Sequence, residues 1–167
     1  GMASPASLTF TAANWNSAQT VTVTGVDDVT IDGNQAFAIT TAAAQSADPS
    51  YDGMDPNNVS VTNSDDDSAN ITVSPTGGLT TTEAGGTATF TVVLTSQPSA
   101  NVVVDLTSGD TGEGTLSATS LTFTSANWNA GQTVTVTGVD DDIDDGNQAF
   151  AITTAAAQST DTDYDGI

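Results

Sequence analysis

The sequence contains no lysine, arginine or histidine, against 21 aspartates and glutamates, so its formal net charge is −21. Ion pairs between side chains are therefore excluded. Binding to nucleic acid or to an anionic membrane surface is not expected, because both depend on cationic side chains. Charge of this size opposes compaction, and relief has to come from screening, from dispersal of the charge or from bound cations.

Cysteine is also absent, which excludes disulfides and thiol chemistry. Without histidine or cysteine the chain has no ligands of the kind that zinc and copper prefer, and no nucleophile–base pair. A carboxylate pair of the glycosidase type is conceivable, but nothing in the pattern suggests a substrate cleft. We therefore expect no enzyme. No run is long and apolar enough to span a bilayer, so membrane insertion is not expected either.

The acidic residues are concentrated in a few short stretches. Few aromatic residues (5%) and high charge could indicate disorder, but 37% of the residues are hydrophobic and they follow a pattern. The acidic stretches are residues 27–32, 48–55, 65–67, 140–145 and 161–165.

The chain repeats itself. LTFTAANWNSAQTVTVTGVDD at 8–28 returns as LTFTSANWNAGQTVTVTGVDD at 121–141, an offset of 113 residues, and 39 of 51 positions are identical between 4–54 and 117–167. The repeat unit is thus 113 residues long. Its phase predicts the C-terminal half of one repeat at 3–66 and a second repeat, without its final strand, at 67–167.

Strand patterns are clear within each repeat. In TATFTVVLT (87–95) and QTVTVTGV (132–139) apolar residues alternate with threonine, and NVVVDLT (101–107), QAFAITT (148–154) and VSVTN (59–63) behave similarly. Alternation with β-branched residues is typical of half-buried antiparallel strands. The pattern predicts an all-β antiparallel sandwich with about seven or eight short strands per repeat.

Three elements in order carry a family resemblance: ITVSPTGGLTTTEAGGTATFTVVL at 71–94, TVTVTGVDDDIDDGNQAF at 133–150 and VSVTNSDDDSAN at 59–70. The chain resembles the Calx-β family, the immunoglobulin-like calcium-binding module, and most closely its repeats in large bacterial surface and adhesin-type proteins. The resemblance implies an immunoglobulin-like sandwich with Ca²⁺ at one end.

The resemblance also implies ligands, position by position. They are Glu83 after the opening strand, Asp140, Asp141, Asp142 and Asp145 in the acidic loop, Asp27, Asp28 and Asp32 in the first copy of that loop, and the closing triplet Asp65, Asp66 and Asp67. Asp110 corresponds to a further family aspartate only loosely, since its loop reads SGDTGEGTLS.

The residues point to calcium without the family as well. Ca²⁺ takes six to eight oxygen ligands in flexible geometry, which clustered aspartates can supply. An EF-hand is excluded, because a loop starting at Asp140 has Asp145 at position 6 and Ala151 at position 12. The alternative is a solvated turn, for which Asp145-Gly146 is a good pair. The segment DTDYDG leaves the same choice for Asp161, Asp163 and Asp165: a calcium loop or a turn anchored by tyrosine.

Trp15 and Trp128, both in ANWN, raise the question of carbohydrate stacking. Tryptophans of this kind are more often part of the packing, at the bend between a strand and a loop.

Together these features predict a calcium-stabilised structural module of a large extracellular or cell-surface protein, a rod or spacer segment in adhesion. The alternative is a carbohydrate- or protein-binding adhesion module that uses tryptophan or bound calcium. The expected partners are neighbouring repeats. Because a half-repeat leaves strand edges unpaired, association with a second copy by edge pairing or strand exchange is also expected.

Overall fold

The computed structural model describes residues 1–143 and 145–167 and is built from antiparallel β-strands. The strands within this described part are β1 (Met2–Ser4), β2 (Thr22–Thr24), β3 (Gln35–Ile39), β4 (Val59–Asn63), β5 (Ile71–Ser74), β6 (Thr87–Leu94), β7 (Val102–Ser108), β8 (Gly114–Leu116), β9 (Ser120–Phe123), β10 (Gln132–Gly138), β11 (Ile152–Thr154) and β12 (Gln158–Ser159). They fall into two compact units. The first comprises residues 1–28 and 32–66, and the second comprises residues 29–31 and 67–167.

The second unit is a β-sandwich. One sheet has the order β5-β6-β10-β8, and the other has the order β11-β7-β12 with β9 also paired to β7. The core lies between them and consists of Phe90, Val92, Leu94, Val102, Val104, Leu106, Leu121, Phe123, Val134, Val136, Ala157 and Tyr164. The prediction of an all-β antiparallel sandwich is confirmed.

The alternation in the sequence explains which side chains enter this core. In β6 the residues Phe90, Val92 and Leu94 are buried, while the residues between them are half-buried. β10 pairs with β6 in a register that places Val134 opposite Phe90, and Val134 is buried as well. Apolar residues two apart therefore share the inner face, as the period of a strand requires.

The first unit has two separate two-stranded sheets, β1–β2 and β3–β4, and none of its described residues is buried. The contrast with the second unit is sharp because the sequences are so similar. Phe10 is 54% exposed where the equivalent Phe123 is 0% exposed, and Tyr51 is 58% exposed where Tyr164 is 0%. In the second unit, Phe123 and Tyr164 belong to one core cluster with buried residues of β6 and β7.

One predicted strand is shorter than its pattern. Alternation predicts a strand over 148–154, but only Ile152–Thr154 forms one. The same letters, QAFAI, form the full strand β3 at 35–39, where they pair along their length with β4. The backbone groups of a strand need hydrogen-bond partners on a neighbouring strand. In the described part of the second unit, only the end of this segment, Ile152–Thr154, is paired with another strand.

Candidate functional site: the acidic end of the sandwich

Three loops of the second unit meet at one end of the sandwich, and we call their described residues, 79–86, 109–114, 139–143 and 145–147, the acidic end. Two backbone hydrogen bonds hold them together. The Gly138 N–H donates to the Gly86 carbonyl at 3.0 Å, and the Val139 N–H donates to the Glu113 carbonyl at 3.0 Å. The loop that carries Glu83 and the loop that carries Glu113 are thereby both fixed to the end of β10.

Glycine permits this close approach. A Cβ at Gly138 would clash with the backbone of Thr82, and a Cβ at Gly114 would clash with the ring of Phe150. Side chains at these two positions would therefore push the loops apart. Gly138 and Gly114 therefore allow the loops of the acidic end to approach one another closely.

Five carboxylates form one electrostatic group at the acidic end. Partial burial, followed by the negative charges of Asp145, Asp110, Asp141 and Glu83, raises the pKa of Glu113 above its usual value. Nearby like charges disfavour the ionised form of a carboxyl group, which is the physical cause of the second contribution. The structure thus brings four of the predicted residues to the neighbourhood of a fifth carboxylate.

Glu113 is the residue that the sequence reasoning missed. It lies in the loop that matches the family poorly, where the family resemblance points to Asp110. The residue type itself could have indicated Glu113. The chain has two glutamates, Glu83 and Glu113, and both belong to this group.

The rest of the acidic loop is more dispersed. Asp140 and Asp142 are exposed, and Asp141 accepts a hydrogen bond from the Ile143 N–H at 2.8 Å. Asp144, in the same run of aspartates, lies outside the described residues. Within the described part of the chain no three carboxylates are gathered closely enough to hold a metal ion. The donor oxygens nevertheless have the chemistry that Ca²⁺ prefers.

The first unit shows where the closing triplet lies relative to an acidic loop. An Asp65 carboxylate oxygen accepts a hydrogen bond from the Gly33 N–H at 2.7 Å, and the Asp65 N–H donates to Asn34 Oδ1 at 3.0 Å. Asp65 therefore lies against the loop that contains Asp32, Gly33 and Asn34. Asp27, Asp28 and Asp66 are exposed in the first unit, and Asp67 is half-buried in the second.

The DTDYDG segment is a hydrogen-bonded turn in which the carboxylates accept backbone N–H groups. Asp161 is 6% exposed and accepts from the N–H groups of Ser99, at 2.7 Å, and Asp163, at 3.0 Å. Asp165 accepts from the Ser159 N–H at 3.2 Å. Burial would raise the pKa of Asp161, but the hydrogen bonds from Ser99 and Asp163 outweigh it and the pKa is lowered.

Tyr164 anchors this turn in the core. Its hydroxyl accepts from the Ser96 N–H at 3.0 Å, donates to the Ser96 carbonyl at 2.8 Å and lies 2.8 Å from the Ser96 hydroxyl. These contacts are those of the tyrosine-anchored turn, the second of the two interpretations of the segment.

The two tryptophans differ in the same way as the two tyrosines. Trp128 is partly buried and packs against the core of the second unit, and its carbonyl accepts from the Leu94 N–H at 3.1 Å. This agrees with a packing role. The equivalent Trp15 is 67% exposed.

In residues 1–143 and 145–167 no helix has the length and apolar character that a bilayer crossing needs.

Comparison with known proteins identifies the family of the chain. Searches of curated proteins and of solved structures returned no match. The family model for the Calx-beta domain matches twice, at residues 2–67 and at residues 64–165. Calx-beta domains are generally calcium-associated β-sandwiches, and the sandwich of the second unit fits this fold. The chain belongs to the Calx-beta family.

Proposed function

We propose that the chain is a non-catalytic, calcium-stabilised structural module of a large extracellular or cell-surface protein, in which it acts as a rod or spacer segment in adhesion. The observation that carries the proposal is the group of five carboxylates at the acidic end, in a chain with no cationic side chain. Repulsion within this group has to be relieved from outside the chain, and a hard divalent cation does so most directly.

In the second unit the ligand set would be drawn from Glu83, Asp110, Glu113, Asp141 and Asp145. Bound Ca²⁺ would supply the positive charge that lets these carboxylates converge. The chain supplies position: the backbone bonds from Gly138 and Val139 fix the bases of the loops, so that the carboxylates need to move only locally. Asp140 and Asp142 are candidates at the rim of the same site.

In the first unit the corresponding acids are Asp27, Asp28 and Asp32 from the loop after β2, with Asp65 and Asp66 after β4. The hydrogen bond from Gly33 holds Asp65 against this loop. The closing triplet runs from the end of the first unit into the start of the second, where Asp67 lies. Cations bound at the acidic loops would stiffen each repeat of an array, which is why a rod is the favoured role.

The repetition itself supports a structural role in a tandem array. The two copies are identical at 39 of 51 aligned positions, and such arrays serve as spacers whose length is set by the number of repeats. An acidic, calcium-dependent module suits an extracellular location, where calcium is abundant, and the proposed partners are the neighbouring repeats.

The test is thermal unfolding in EDTA, in millimolar Ca²⁺ and in millimolar Mg²⁺. Binding to the native state alone stabilises it by about 2.7 kcal/mol at a ligand concentration of 100 Kd. We expect a clear rise in Tm with Ca²⁺ and a much smaller rise with Mg²⁺. No rise, or an equal rise with both ions, would contradict the proposal.

Two variants locate the effect. Glu113→Gln removes one repelling charge, so its Tm in EDTA should equal or exceed that of the wild type, whereas its gain from Ca²⁺ should be smaller. Asp55→Asn is the matched control, because it removes an exposed charge from a residue outside the candidate ligand set and should leave the Ca²⁺ gain unchanged. If both variants lost the gain equally, the effect would be one of net charge and not of a site.

A further inference from the structure

Asp-Gly dipeptides occur in the chain at 32–33, 52–53, 145–146 and 165–166. All of them lie outside the strands, and their glycines share nearly the same backbone conformation, with φ between 72° and 86°. Residue type and backbone conformation therefore do not distinguish these dipeptides. Their hydrogen bonds do, and these bonds decide which dipeptide is open to a covalent rearrangement.

The rearrangement is cyclisation to a succinimide. The backbone nitrogen of the glycine attacks Cγ of the aspartate, a C–N bond forms, and the carboxyl hydroxyl leaves as water with the amide proton. Water then opens the ring. Opening at Cγ restores aspartate, whereas opening at the main-chain carbonyl of the aspartate gives isoaspartate, in which the chain continues through the side chain. Glycine favours the reaction because no side chain shields its nitrogen and its backbone turns freely.

Asp165-Gly166 is held at both reacting groups. The Gly166 N–H donates to the Ala157 carbonyl at 2.9 Å, and an Asp165 carboxylate oxygen accepts from the Ser159 N–H at 3.2 Å. The dipeptide at 52–53 has the equivalent pair of hydrogen bonds, at 2.8 and 3.0 Å. Because the nitrogen and the carboxylate are each bonded elsewhere, they can meet only after both hydrogen bonds break.

Asp145-Gly146 is held at neither reacting group. In the dipeptide at 32–33 the Gly33 N–H donates to an Asp65 carboxylate oxygen at 2.7 Å. By contrast, neither the Asp145 carboxylate nor the Gly146 N–H has a hydrogen-bond partner among residues 1–143 and 145–167. Both residues are exposed, and the space next to Gly146 is open. The nitrogen and Cγ are therefore free to approach one another.

We propose that Asp145-Gly146 is the isoaspartate-forming site of the chain. The rearrangement brings Cβ of residue 145 into the main chain and leaves the free carboxylate attached directly to Cα. It therefore lengthens the acidic loop and moves one carboxylate of the acidic end. The site and its reaction follow from the hydrogen bonds alone. Only a slower reaction in Ca²⁺, through engagement of the Asp145 carboxylate, rests on the proposed function.

The test follows isomerisation in the full chain, aged at neutral pH in EDTA in water labelled with heavy oxygen. Ring opening incorporates one labelled oxygen, and chymotrypsin fragments locate it, since the chain has no lysine or arginine for trypsin. Electron-transfer fragmentation distinguishes isoaspartate from aspartate. We expect both signals to grow several-fold faster at Asp145 than at Asp32, Asp52 and Asp165. Equal rates, or a rate at Asp145 as low as that at Asp165, would overturn the proposal.

Two further measurements test the physical reason. Asp65→Ala removes the acceptor of the Gly33 N–H and should raise the rate at Asp32 relative to Asp52, which lies in the same unit. An unchanged ratio would contradict the role of the hydrogen bond. Ageing in concentrated urea removes the structure and should bring all the rates together. A preference for Asp145 that persisted in urea would belong to the local sequence and would also contradict the proposal.

Ageing in millimolar Ca²⁺ separates this inference from the proposed function. If Ca²⁺ engages the Asp145 carboxylate, the rate at Asp145 should fall in Ca²⁺ and not in Mg²⁺. Isomerisation at Asp145 that Ca²⁺ does not slow would count against the proposed cation site alone. A Ca²⁺-dependent rise in Tm without isomerisation at Asp145 in EDTA would count against this inference alone.

Discussion

At the scale of single residues, the equivalent tyrosines Tyr164 and Tyr51 show that forming a turn and burying its tyrosine in a core have different requirements. The turn is the same in both copies, since Gly53 and Gly166 donate to the carbonyls of Ala44 and Ala157 at 2.8 and 2.9 Å. Only Tyr164 is buried. The local sequence is therefore sufficient for the turn, whereas burial of the ring depends on the opposing strands.

The first prediction concerns the hydroxyl of Tyr164. Tyr164→Phe leaves the buried Ser96 N–H and carbonyl without this partner, and an unsatisfied buried polar group costs about 1–3 kcal/mol. We expect the free energy of unfolding of the second unit to fall by about that amount, as measured by urea denaturation. Tyr51→Phe is the matched variant, and its effect should be within about 0.5 kcal/mol of zero because Tyr51 is exposed. Equal effects would show that the first unit also buries its tyrosine.

At the scale of strands, the second prediction concerns the equivalent residues Phe123 and Phe10. Phe123 is fully buried in the core, and Phe→Ala at such positions costs about 3–5 kcal/mol. Phe123→Ala should therefore unfold the sandwich or lower its Tm by many degrees, while Phe10→Ala should change Tm little. Circular dichroism melts of the two variants check this. A large loss in Phe10→Ala would mean that the ring is covered in solution.

The strands show what could be read from sequence and what could not. β6, β7 and β10 follow their alternation closely, because apolar residues at a period of two have to share a buried face. Residues 148–151 carry an equally good pattern and form no strand. Pairing depends on the presence of a partner in space, and a pattern within one segment does not contain that information.

The residues of the acidic end could likewise be predicted from the sequence only in part. The sequence indicated Glu83, Asp110, Asp141 and Asp145, since runs and family positions identify acids that share a loop. Glu113 was missed because its neighbours along the chain are Gly112 and Gly114 and no acidic run marks it. It joins the group through the hydrogen bond between its carbonyl and the Val139 N–H, a contact between loops distant in sequence.

At the scale of the whole molecule, the two units should differ strongly in stability although they share most of their sequence. The first unit consists of two-stranded sheets without a buried residue, so its backbone amides can exchange with solvent through small local openings. The amides of β6, β7 and β10 lie over a packed core and should exchange only through large openings.

The third prediction is that this difference in stability between the two units appears in hydrogen exchange measured by mass spectrometry. At low protein concentration, peptides from residues 1–66 should exchange orders of magnitude faster than those covering β6, β7 and β10. Protection of residues 1–66 comparable to that of β6, β7 and β10 would contradict this prediction. Because residues 8–28 and 121–141 share most of their sequence, only their surroundings can cause a difference in exchange between them, and those surroundings are what the core of the second unit provides.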